Sequence, residues 1–129
     1  MKAKTKGQEE PKRTVERTKP FVVLAGEYIE GHSEFESDLE WLEGRLAVSA
    51  TKMGDHVKGL KNLNLPVFKT RLKDSCCKMS AKEGWRLYYA VSNETMKVFM
   101  LFVFHKHEMD NPATKFLQQK LQKAFEEGV

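Results

Sequence analysis

Long apolar runs are missing from these 129 residues. The longest, Val98–Phe104, is seven residues, far below the roughly 20 that a membrane helix requires. No apolar stretch precedes Phe21, so neither a membrane span nor a secretory signal is expected. Cysteine is scarce: Cys76 and Cys77 are the only two, and they are neighbours. Adjacent cysteines rarely pair with each other, which excludes a disulfide scaffold and leaves a reduced, cytoplasmic protein as the expectation. Basic residues are absent from 27–43, which hold seven acids. Acids are nearly absent from 58–82, where Asp74 stands alone among seven Lys and Arg.

The net charge of +4 has a local origin. Residues 1–20 carry seven Lys and Arg against Glu9, Glu10 and Glu16, and the remainder is balanced at 15 against 15. Segregation within the folded part therefore informs more than the total. Polar and broken by Pro11 and Pro20, residues 1–20 read as a disordered basic tail, either a plain solubilising extension or an RNA-binding arm. Residues 21–129 read as a single domain, long enough for one core.

Phe21–Ala25, apolar and rich in β-branched and aromatic residues, reads as a first strand reaching as far as Ile29. Ser33, with Glu36 three residues on, forms a capping box and predicts a helix start. Apolar residues then recur at Phe35, Leu39, Leu42, Leu46, Ala50, Met53, Val57 and Leu60, one face at helical spacing. This fits one long helix or two joined near Gly44–Ser49, stopped by the Asn- and Pro-containing stretch 59–66. Three strands follow, Val67–Asp74, Trp85–Ser92 and Lys97–His107. The polar link Ser75–Gly84 reads as a mobile hairpin loop, and Ser92–Thr95 as a tight turn. The third strand is apolar on both faces and needs cover on both sides. Asn111 and Pro112 predict the cap and first residue of a last helix, with Ala113, Phe116, Leu117, Leu121, Ala124 and Phe125 as its stripe. The sum is an α+β fold. It has a small antiparallel sheet of about four strands, an N-terminal helical region packed on it, and a C-terminal helix.

Alternate side chains on a strand share a face. Lys69, Arg71 and Lys73 therefore form a cationic row opposite Phe68, Thr70 and Leu72. Such a row, beside Arg86, Lys106 and the pair His105 and His107, suits a phosphate backbone. Arg86 offers planar donors for phosphoryl oxygens, or alternatively a structural ion pair. A lysine held between two cations is pushed towards its neutral form, as a general base requires, and histidine suits acid or base work near neutrality. Tyr88 shares a face with Arg86 and is the aromatic expected nearest a substrate. Trp85 and Tyr89 share a face with Leu87 and Val91 and are expected in the core. A metal site from His105, His107, Glu108 and Asp110 fits no closed zinc spacing and is opposed by nearby cations, so no metal or cofactor is expected. Cys76 and Cys77 lie in a Lys-containing loop that could lower a thiol pKa. They are read as incidental.

The order of strand, helical region and three antiparallel strands resembles the RelE/ParE superfamily of small bacterial toxins. The resemblance rests on Leu60-Lys61-Asn62-Leu63 leading into Val67–Lys73, on Gly84-Trp85-Arg86-Leu87-Tyr88-Tyr89, and on the basic strand end Phe104–Glu108. It covers residues 60–110 well and 21–60 loosely. It implies the toxin of a type II toxin–antitoxin system, a metal-independent, ribosome-dependent mRNA endonuclease that uses the ribose 2′-hydroxyl as nucleophile. Carried over by position, Arg86, Lys69, Arg71, His105 and His107 would be catalytic, with Lys73, Lys106 and Tyr88 on RNA. A functional tyrosine near the C-terminus, present in some members, is missing here. The implied partners are a cognate antitoxin, the ribosome and mRNA, with DNA reached only through an antitoxin complex and no membrane. The alternatives are a non-catalytic ParE-like gyrase inhibitor, an inactive homologue, or a small RNA-binding module that works through its basic tail.

Overall fold

The computed structural model describes residues 10–109 and 111–129. Strands β1 (Thr14–Arg17), β2 (Asp55–His56), β3 (Val67–Leu72), β4 (Trp85–Ser92) and β5 (Lys97–His105) form one sheet in the order β1-β5-β4-β3-β2. Helices α1 (Lys19–Gly31), α2 (Phe35–Met53) and α3 (Thr114–Gly128) complete the fold. The class is α+β. The sheet has five strands rather than about four, and it is mixed, because β1 runs parallel to β5 while the other neighbours are antiparallel.

The N-terminal third departs furthest from expectation. Phe21–Ala25 is helix, not strand. Pro20 stands at the head of α1, where its missing N–H costs nothing and its fixed φ suits a helix. Phe21, Leu24, Ala25, Tyr28 and Ile29 recur at helical spacing and pack inwards, leaving Val22 and Val23 exposed. The first strand lies earlier, at Thr14–Arg17, within the stretch expected to be a disordered tail. The flanking residues are ordered too: the Glu10 and Arg13 N–H groups donate to the Val48 and Ala47 carbonyls and α1 starts at Lys19, while residues 1–9 of that expected tail lie outside the described residues. β1 is held by more than its ladder. Arg17 reaches Glu36 and Glu43 on α2. The Thr18 hydroxyl donates to the Met100 carbonyl at 2.8 Å.

The capping box at Ser33 does not form: α2 starts at Phe35 after Glu34, without a side-chain cap. Of one long helix and two joined near Gly44–Ser49, the structure is nearer the second: α2 is two helical segments joined across a non-helical Ser49 (φ −148°, ψ 31°), and it stops at Met53. The apolar spacing continues past the helix, but Val57 and Leu60 pack on the other side of the sheet. Likewise α3 begins at Thr114 after Ala113, beyond the expected Asn111 and Pro112.

Two apolar layers enclose the sheet. Phe21 and Ala25 of α1 and Phe35, Leu39, Leu42, Leu46 and Ala50 of α2 bury one face, with Leu72, Trp85, Leu87, Tyr89 and Val91. Leu117, Leu121 and Ala124 of α3 bury part of the other, with Val67, Tyr88 and Ala90. β5 contributes to both layers, as its two-sided apolar sequence requires. Its register against β4 slips between Tyr88, opposite Phe102, and Tyr89, opposite Met100. Leu101 is the extra residue of this bulge, so Leu101 and Phe102 both join the α3 layer.

Candidate nucleic-acid interface

α3 covers only part of its face of the sheet. Beside it, β3, β4 and residues 53–60 border a groove of about 910 Å³. Alternation along β3 aims Lys69 and Arg71 into it, and alternation along β4 aims Arg86 and Tyr88 into it. Lys58, Lys82 and Lys106 join from the surrounding loops. Asp55 is the one carboxylate among the described lining residues. Lys58, Lys69, Arg71, Lys82 and Lys106 make no ion pair among the described residues. Thr114 also lines the groove, so the start of α3 borders it. That first turn carries no side-chain cap, and its backbone N–H groups favour an anion.

The structure thus gathers Lys69, Arg71, Arg86, Tyr88 and Lys106 in one place. Lys73 does not belong: β3 ends at Leu72, and the Lys73 ammonium lies 5.9 Å from the Trp41 ring centre on α2, on the opposite side of the sheet. Arg86 lines the groove but spends donors on the connection before it. Its guanidinium donates to the carbonyls of Ala81 (3.0 Å) and Lys82 (2.6 Å). It therefore braces the Ser75–Gly84 link, expected to be a mobile loop, which also holds a short 3-10 turn and an Asp74–Met79 bridge. Tyr88 is 4 % exposed and packs among Phe102 and Phe104. It is floor rather than a stacking platform. Burial raises its pKa, partly offset by the Arg86 charge.

The histidines do not join the groove. Beyond the Leu101 bulge, His105 pairs opposite Trp85 and turns to the α1–α2 side, where it is buried. Its Nε2 lies 3.0 Å from Asp74 Oδ2, and its Nδ1 accepts the His107 N–H at 3.2 Å. These partners place the ring proton on Nε2. His107 is exposed and meets His105 edge-on. Of the other residues considered for a metal, Glu108 accepts from the Tyr28 hydroxyl, and Asp110 lies outside the described residues. Trp85 and Tyr89 are fully buried, as expected.

Around Asp74 the sequence reading missed a cluster. His32, Asp74, Cys76 and Cys77 meet with donor atoms all within 4.8 Å of one another. The loop lysine does not lower the Cys76 thiol pKa, which is pushed up to about 12 by its hydrogen bond with Cys77, then by burial and the Asp74 charge. No local spacing signalled this cluster, because His32 arrives from α1. Comparison of the chain with protein-family models, with curated proteins and with solved structures finds no match in any of the three.

Proposed function

We propose that the groove holds the phosphate backbone of RNA and that the protein is a RelE-like toxin cutting mRNA on the ribosome. The observation that carries this reading is the charge of the groove: six Lys and Arg and a single carboxylate among its described lining residues, with the uncapped start of α3 at its border. The order of strand, two helices, then antiparallel strands supports it, although the first strand sits earlier than the sequence suggested. Lys69 and Arg71 hold backbone and help activate the 2′-hydroxyl, while Lys106, just beyond β5, and Arg86 on β4 face the phosphate. His105 and His107, on the other side of the sheet, take no part. An acidic antitoxin segment would lie across the groove, and DNA would be met only through that complex.

The position of His105 favours a second reading, a groove that binds without cutting, as in a ParE-like inhibitor or an inactive homologue. Primer-extension mapping of mRNA during brief induction separates the two. Arg71→Ala is the informative variant, because Arg71 is exposed and Arg86 also braces a loop. Cuts in wild type that vanish with Arg71→Ala support the nuclease. Growth arrest without cuts supports the non-catalytic binder.

A further inference from the structure

We propose that His32, Asp74, Cys76 and Cys77 form a binding site for a zinc-class divalent metal. The site lies on the α1–α2 side of the sheet and stands independently of the RNA reading.

Its ligands come from three places: the C-cap of α1, the residue after Lys73 at the end of β3, and the 3-10 turn Ser75–Cys77. Zinc bound tetrahedrally, at about 2.3 Å from sulfur and 2.0–2.1 Å from nitrogen or oxygen, sets N···S edges of about 3.5 Å and N···O edges of about 3.3 Å. Cys76 Sγ lies 3.6 Å from His32 Nδ1, and His32 Nδ1 lies 3.4 Å from Asp74 Oδ2. Two edges of the tetrahedron are therefore present. Of the other four, the edge between the sulfurs is 2.8 Å and must open by about 1 Å. Cys77 is exposed, so its side-chain torsion can supply that change.

A second observation points to a cation. Asp74 is 1 % exposed, and its Oδ1 is buried without a hydrogen-bond partner among the described residues. A buried carboxylate with one oxygen unpartnered is costly, and a metal ion bound by that carboxylate offsets its charge. The surroundings are built as a metal site needs. His105 donates to Asp74 Oδ2 and orients it. Asp38 accepts from both the N–H (2.9 Å) and the hydroxyl (2.7 Å) of Ser75, anchoring the turn. Lys78, at φ 56°, closes the turn behind the two thiols. Trp85 walls off His32 with its ring centre at 4.9 Å. Paired thiolates with an imidazole and one carboxylate select zinc over magnesium or calcium.

The test uses the full chain, reduced and stripped of metal, titrated with Co²⁺ and then Zn²⁺. One equivalent of Co²⁺ should give a tetrahedral ligand-field spectrum with a thiolate charge-transfer band, and Zn²⁺ should displace it. Cys77→Ser should cut the charge-transfer band to about half. His32→Ala and Asp74→Asn should each weaken Zn²⁺ affinity at least about tenfold. His32 and Cys77 are not buried, so these two variants carry the test if Asp74→Asn fails to fold. No cobalt spectrum overturns the proposal. So does a thiolate band indifferent to His32→Ala, which would mean a dithiol adduct, or binding that survives loss of both cysteines.

Discussion

Tyr88 and Tyr89 are neighbours on β4 with opposite surroundings. Tyr88 floors the groove, whereas Tyr89 is buried under α2 and its hydroxyl donates to the Ala50 carbonyl at 2.6 Å, next to the Ser49 kink. Burial raises the Tyr89 pKa, as do the negative charges of Glu10 and Asp55, so the donor stays protonated. Tyr89→Phe leaves that carbonyl unsatisfied and should cost about 1–2 kcal/mol, read from urea unfolding. Gly54 abuts the same ring: a Cβ there would lie 2.5 Å from the Lys69 carbonyl oxygen and 2.8 Å from the Tyr89 hydroxyl. Glu10 is a pH-sensitive tie. Burial pushes its pKa up, but hydrogen bonds from Thr51 and Arg13, with the Arg13 charge, bring it below the ordinary 4.5. A depressed folded pKa gives stability that is complete above the unfolded value and is lost as pH falls through the folded one. Glu10→Gln should therefore flatten the loss of stability below pH 4.5, as measured by urea midpoints across that range.

β1 shows how a short, polar strand is held in place. Val15 is its one apolar side chain, yet its backbone closes the edge of β5. Arg17 then ties the strand to the acidic face of α2 through Glu43 and Glu36, which raise its pKa against the opposing effect of burial. Arg17→Ala should cost about 1 kcal/mol, and the difference from wild type should shrink at high salt. Deleting residues up to Arg17 bares a long apolar edge and should produce concentration-dependent association in light scattering. This element was the least legible in the sequence. Alternation and turn residues are local, so β3, β4 and β5 were readable, as was the burial of Trp85 and Tyr89. Parallel pairing with a distant strand leaves no local mark on Thr14–Arg17. The helix at Phe21 was legible in principle, through Pro20 and the spacing of Phe21, Leu24, Ala25 and Tyr28. The β-branched pair Val22 and Val23 masked it by suggesting a strand. The groove was half legible: parity along β3 and β4 gave Lys69, Arg71, Arg86 and Tyr88. Lys73 was lost because β3 stops at Leu72, and His105 because the bulge moves it to the other side.

Across the molecule the charges separate. The seven acids of 27–43 belong to α1, α2 and their connection on one side of the sheet, and the groove cations sit on the other. Arg13 and Arg17 of the basic N-terminal stretch are spent on Glu10, Glu36 and Glu43, so they add little to an RNA-facing surface. Such a dipolar body orients an approaching polyanion towards the groove. Four to six phosphate contacts on single-stranded RNA would give a slope of about −3 to −4 in log K against log salt. Lys69→Ala with Arg71→Ala should lower the magnitude by about 1.4, measured by fluorescence anisotropy. An unchanged slope would move RNA binding away from the groove.

The bulge at Leu101 has a consequence for how such a protein diversifies. Up to Met100, odd and even positions of β5 keep one assignment of faces; after Leu101 the assignment is exchanged. A single-codon deletion of Leu101 would restore strict alternation while leaving Phe102 and Phe104 on the groove side and Val103 and His105 on the α1–α2 side. One in-frame change of length at this point is therefore silent for the strand beyond it, and His105 stays beside Asp74 with or without Leu101.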